Sequence, residues 1–286
     1  MSAILPPDHE PLNAPIGVFD SGVGGLSVLS ALRAELPCES FIYFADSGYA
    51  PYGERDDAYV IQRARTVLAT LRADHGIKAL VIACNTATAA AVHLLRAENP
   101  DLPIVGVEPA LKPAVAASRT GYIGVLATRG TLGSQKFAAL LSSLAHQAVF
   151  RLQPCDGLAD AIERQDTSKT IALCDRYTKE MGSFGNEIGE MDTLVLGCTH
   201  YPFAADALRA RVGTGVRLID TGEPVARRMH QLLKALHVSL RSTELPSGTS
   251  PSGAAPLTLI SSGPPNALQS AVRRWLGLDL PVRESR

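Results

Sequence analysis

The sequence predicts an α/β fold: two similar α/β halves with mostly parallel sheets flanked by helices, facing each other across a cleft. Three observations carry that expectation. Short apolar runs of strand length alternate with stretches of helical periodicity along almost the whole chain, the pattern of parallel sheets covered by helices. Two of those runs, in ALVIACNTAT (79–88) and TLVLGCTHYP (193–202), end alike, with a cysteine and then polar residues. A weaker echo pairs IGVFDSG (16–22) with IGVLATR (123–129), which share strand, Gly, Val and a hydroxyl residue, Ser21 or Thr128, at one offset.

In chain order, residues 1–14 read as a loose leader rich in proline and acid. IGVFD (16–20) has the length of a buried strand, and SGVGG (21–25) turns it into a helix from Leu26 to about Leu36, where Pro37 stops it. FIYFAD (41–46) is a second strand, followed by the loop SGYAPYGER (47–55). Helical periodicity runs over 57–74 and ends at Gly76. A central strand at 78–83 leads through Cys84 into an alanine-rich helix ending near Asn99-Pro100, and PIVGV (103–107) is the next strand. Glu108-Pro109 opens the second half. It carries helices at 110–118, 131–145, 157–165 and 168–182, with strands at 122–127, 149–153 and 193–197. A helix follows Pro202, then a strand at 216–220 and a helix from Gly222 to about His237. RSTELPSGTSPSGAAP (241–256) has the composition of a flexible insertion, after which a strand at 257–261 and a helix at 266–276 follow.

At 286 residues, 46% hydrophobic and 19% charged, the chain has the means to bury a core as one large or two small domains. A net charge of −1 offers no basic field for nucleic acid or an anionic membrane. The uncharged run 79–95 approaches membrane length, but Asn85, Thr86, Thr88 and His93 interrupt it, and a strand followed by a helix explains it better. The opening residues lack the basic and apolar regions of a signal peptide. Five cysteines, at 38, 84, 155, 174 and 198, show no zinc-ligand spacing and no even-numbered disulfide framework. They point to a reducing cytoplasm, with no metal.

Ligands of open parallel sheets bind at the carboxyl ends of the strands, and a helix N-terminus there favours an anion, a thiolate included. Cys84 and Cys198 both fall at such ends, which suggests one sulfur on each side of a small molecule. Asn85-Thr86 and Thr199-His200 stand where a core cysteine would have apolar neighbours, and His200 is close enough to act on the thiol or on a substrate. Gly22, Gly24 and Gly25 fit neither nucleotide-binding glycine pattern. Their functional reading is a tight turn offering backbone N–H groups to a small anion such as a carboxylate. Asp20 is either a helix cap or a carboxylate aimed into the cleft. The Pro51-Tyr52-Gly53 loop could close one end of that cleft, and Cys38, Cys155 and Cys174 read as inert.

Five motifs, IGVFDSGVGGLSV (16–28), FADSGYAPYGER (44–55), VIACNTAT (81–88), DGLADAIE (156–163) and LGCTHYP ending at Pro202, together resemble the glutamate racemase family. The resemblance implies a cofactor-independent amino-acid racemase with its site between two α/β domains. Strands near the C-terminus return to the first domain in that family, so the expected division is 1–108 with 219–286, and 109–218. It implies Cys84 and Cys198 as the catalytic pair, assisted by Asp20, Glu163 and His200. It implies substrate binding by Asp20, Ser21, Tyr52, Gly53, Asn85, Thr86, Thr199 and His200, a set completed here by Pro51 of the loop and Thr128 of the strand echo. L-glutamate and D-glutamate are the implied partners, with a cytoplasmic homodimer supplying D-glutamate for peptidoglycan. Thr88, Asp56 and the long 241–256 linker depart from the family pattern.

Two thiols suit that reaction. Racemisation takes the α-proton from one face of carbon and returns a proton to the other, and two bases on opposite faces need not move. The resemblance assigns Cys84 to D-glutamate and Cys198 to L-glutamate. A free thiol, with a pKa near about 8.5, is only a few per cent thiolate at neutral pH, so the site must poise one sulfur. Competing readings are a racemase of aspartate or another amino acid, a thiol hydrolase built on Cys198-His200, and a regulator that binds a protein partner.

Overall fold

The computed structural model describes residues 14–236, 238 and 255–285. The expected leader up to residue 13 and the expected insertion over 241–254 lie outside the described residues. The first part of the chain runs β1 (Ile16–Asp20), α1 (Leu26–Glu35), β2 (Phe41–Ala45), α2 (Asp57–His75), β3 (Ala79–Ile82), α3 (Asn85–Glu98) and β4 (Ile104–Gly106). Next come α4 (Leu111–Ala117), β5 (Tyr122–Ala127), α5 (Arg129–Gly133), α6 (Gln135–Leu144), β6 (Val149–Pro154), α7 (Leu158–Glu163) and α8 (Thr167–Met181). The chain continues with β7 (Thr193–Leu196), α9 (Ala205–Val212), β8 (Arg217–Ile219), α10 (Gly222–Ala235), β9 (Leu257–Ser261), α11 (Pro265–Leu276) and β10 (Val282–Glu284).

Two parallel sheets result. The first has the order β10-β9-β2-β1-β3-β4 and the second β6-β5-β7-β8. Strand β1 sits at the centre of the first, with Ile16 opposite both Phe41 and Ala79. Every residue of β1, β2 and β3 is buried, because helices cover both faces, and this is why these strands read as apolar runs broken only by Asp20 at the end of β1. The pleat sends Val18, Tyr43 and Val81 toward α1, α10 and α11, and Phe19, Leu80 and Ile82 toward α2 and α3. In the second sheet Leu126, Leu194 and Leu196 pack with α7, α8 and α9, while Ile123, Val125 and Val195 pack with α4 and α6.

Helix α10 follows the last strand of the second sheet, yet its Val225, Ala226, Met229 and Leu233 complete the core of the first. No helix among the described residues is long and apolar enough to cross a membrane.

The structure departs from the sequence reading in three places. The helix expected over 131–145 is two helices, because the Ser134 side chain ends α5 on Thr131 O and starts α6 by accepting from Phe137 N–H. Strand β10, parallel to β9, lies beyond the last expected element. Cys198 does not stand at an α-helix N-terminus: β7 ends at Leu196, a turn of 3₁₀-helix occupies Tyr201–Ala204, and α9 starts only at Ala205.

Candidate active site

The carboxyl ends of both sheets border one cavity of about 360 Å³, within the size range of small-molecule sites. Twelve of the thirteen expected residues line it: Asp20, Ser21, Pro51, Tyr52, Gly53, Cys84, Asn85, Thr86, Thr128, Cys198, Thr199 and His200. Glu163 is absent from the wall and meets the site through His200.

Cys84 stands two residues past β3 and caps α3, its Sγ accepting from Ala87 N–H at 3.5 Å and lying 3.7 Å from Ser21 Oγ. The helix N-terminus does not decide its charge. Burial, and then the negative charge of Asp20, outweigh it and push the thiol up to about 12, so Cys84 rests protonated.

The other sulfur has different company. Cys198 Sγ lies 3.7 Å from His200 Nδ1, and His200 Nε2 meets Glu163 Oε2 at 2.6 Å. Burial alone would lower the imidazole. Its contacts with Cys198 and Glu163 overcome that and hold His200 well above the usual histidine range. A cation therefore stands where the sequence predicted a helix end. Sequence spacing shows no acid orienting His200; the fold provides one in Glu163, at the end of α7.

Asp20 ends β1 at the centre of this arrangement, fully buried. It accepts from Gly22 N–H at 2.7 Å and from Thr199 Oγ1 at 3.3 Å. Burial raises it to about 6, despite the opposing attraction of His200. At neutral pH the ionised carboxylate therefore costs roughly 3 kcal/mol, about two pKa units at ~1.4 kcal/mol each. Between pH 3.8 and about 6 the native protein binds more protons than the unfolded chain, so this carboxyl's contribution to stability falls as pH rises through that window. Asp20→Asn should accordingly melt several degrees above the parent at pH 7.5, with the gap shrinking at pH 5. Thermal melts at the two pH values check this, and a gap independent of pH would refute it.

Tyr52 belongs to the loop after β2. Its hydroxyl donates to Asp46 Oδ2 at 2.5 Å, and Asp46 is gripped by Arg63 through two hydrogen bonds of 2.9 Å. That pair, with Asp46 fully buried, holds Tyr52 against the cavity while Pro51 and Gly53 stay on its exposed rim. Thr128 caps α5 through a bond from Thr131 N–H. Asn85 is buried, and neither its Oδ1 nor its Nδ2 has a partner.

The wall also contains Glu54, Arg129, Cys155, Asp156, Gly157, Ala159 and Asp160, which the sequence reading missed. Cys155, read as inert, sits just past β6 and is buried on the cavity side; the strand-end rule applied to Cys84 and Cys198 would have found it. Arg129 and Asp156 pair at the mouth. The glycine turn is corrected too. Its N–H donors go to the chain's own carboxylates, Gly22 to Asp20 and Val23 to Glu163, with no donor left for an outside anion at those two positions.

Residues 25–229 match the family model described as Asp/Glu/Hydantoin racemase. The chain belongs to that family. Among curated relatives, the glutamate racemase of Ralstonia nicotianae is 53% identical over 227 residues, 79% of each chain. A glutamate racemase isoform of Bacillus anthracis superposes with a TM-score of 0.81 at 29% identity, covering 96% of this chain and 98% of its own. The Escherichia coli glutamate racemase, solved with L-glutamate and the activator UDP-MurNAc-ala, gives 0.77 at 29% identity, covering 95% and 97%.

Proposed function

We propose that this racemase interconverts L-glutamate and D-glutamate without a cofactor, by two-base proton transfer between Cys84 and Cys198. One observation carries the reading: the two cysteines follow strands of different sheets and line the same cavity. Cys84, resting as a thiol, is ready to give a proton to one face of the α-carbon. Cys198, with His200 Nδ1 3.7 Å from its Sγ and Glu163 behind that ring, is placed to take one from the other face. The carbanion-like transition state develops between them, and unpaired Asn85 with Ser21, Thr86 and Thr199 supply fixed polar groups for the carboxylates. Asp20, Thr128, Tyr52, Gly53 and Pro51 complete the enclosure. The two sheets support a division into domains of 1–108 with 219–286 and 109–218, and the product would feed peptidoglycan synthesis in the cytoplasm. We read the working form as a homodimer.

Purified protein incubated with L-glutamate in deuterated water, with no cofactor added, should lose optical rotation and α-proton signal together. If neither changes in reducing buffer, the substrate assignment is wrong, and aspartate and other amino acids are tested next. The Cys198–His200–Glu163 chain also has the order of a thiol hydrolase triad. Such an enzyme would not exchange the α-proton, so the same experiment separates the two.

A further inference from the structure

The glycine turn after β1 carries more than backbone geometry. It belongs to the first sheet, yet it touches Glu163 and His200, which belong to the second. Val23 N–H donates to both oxygens of the Glu163 carboxylate, at 3.0 and 3.2 Å. A Cβ on Gly22 would lie 2.5 Å from those same oxygens, and a Cβ on Gly24 would strike His200 Nδ1. Nearby, Ser27 Oγ lies 2.8 Å from Thr199 O and 2.9 Å from Gly24 O, binding the turn to the segment that holds Cys198.

We propose that Gly22, Val23 and Gly24 are positioning residues that seat Glu163 and His200 against Cys198 only when the two halves are closed. Proton transfer on the Cys198 side is thereby tied to closure around the substrate, whereas the hydrogen-bond partners of Cys84 Sγ itself, Ala87 N–H and Ser21 Oγ, both lie in the first half. The proposal rests on the two-cysteine reading. Glu163 is held by one bond from each half, Val23 N–H and His200 Nε2. Opening the cleft removes the first and leaves the imidazole's orientation to one flexible carboxylate. The two glycines leave room for that seat: a methyl group in either place occupies the volume of the reacting pair itself.

Alanine tests this cleanly. Neither Gly22 nor Gly24 has a positive φ, so the backbone accepts it. The atoms it would strike belong to the Glu163 carboxylate and the His200 ring, not to backbone, so the displacement falls on the proton relay. For Gly22→Ala and Gly24→Ala, circular dichroism and melting should match the parent while kcat falls about tenfold or more. The kinetic isotope effect on kcat/KM should rise with α-deuterated L-glutamate, whose proton Cys198 removes, and rise less with the D enantiomer. Glu163→Gln added to Gly22→Ala should cost much less than it costs the parent, because both act through one carboxylate. Full activity in both alanine variants, equal isotope effects for the enantiomers, or additive losses would each overturn the proposal. A parent protein that fails to exchange the α-proton refutes the two-cysteine reading instead, so the two failures are distinguishable.

Discussion

Cys84→Ser is expected to lower racemisation of glutamate by about 10³-fold or more, and Cys198→Ser by a similar factor, within the range seen on losing a general acid–base group. The change replaces one atom and keeps the shape of the buried side chain, so folding should survive it. The chemistry should not. An alcohol is a far poorer proton donor and, at neutral pH, almost never an oxyanion, so the face it serves has neither acid nor base. Both directions should lose kcat/KM equally, since the enantiomers have equal free energy and the equilibrium constant cannot change. Polarimetry from each enantiomer checks this. Full activity in either serine variant would end the two-base scheme.

His200→Asn should reduce kcat by roughly 10²-fold and remove one limb of the pH profile. Burial disfavours the imidazolium, but the Cys198 and Glu163 contacts raise His200 well above its ordinary range. It is therefore charged at neutral pH, and the parent should lose activity as pH rises through that elevated value. The same sign governs stability: the contribution of the pair is complete below the ordinary histidine value and lost as pH rises past the folded one. Asparagine keeps a polar group at the position but has no proton to give, so its profile should lack the alkaline limb. An unchanged profile in His200→Asn would assign that limb elsewhere.

Much of this was legible in the sequence because buried parallel strands leave a plain signature. The runs at residues 16–19, 41–45, 79–83 and 123–127 are apolar or glycine throughout, and the residue after each is polar or a cysteine. That pattern locates the cavity wall to within a residue at Asp20, Cys84 and Thr128. What stayed hidden depends on contacts between distant segments. The pairing of Glu163 with His200 spans 37 residues, and that of Val23 with Glu163 spans 140. No local spacing reports either. The resting state of Cys84 stayed hidden for a related reason: helix N-termini are visible in sequence, whereas the burial that outweighs one here is a property of the packed site. Ser134 broke a helix because its hydroxyl competes for backbone groups, a signal overlooked amid apolar periodicity. Cys155 reads as an inert cysteine at a loop start, although its place after a strand matches that of the two catalytic candidates.

The interleaving of the sheets has a consequence for how the chain is made. Strand β2 pairs on its outer edge with β9, which lies more than two hundred residues downstream, across the entire second sheet. During synthesis at about 5–20 residues per second, that edge waits roughly 10–40 s for its partner to emerge from the ribosome. The four strands of the second sheet, continuous in sequence, meet no such delay and can assemble first. The nascent protein thus carries an unpaired, wholly apolar strand beside an already finished neighbour, the kind of exposed edge that chaperones engage.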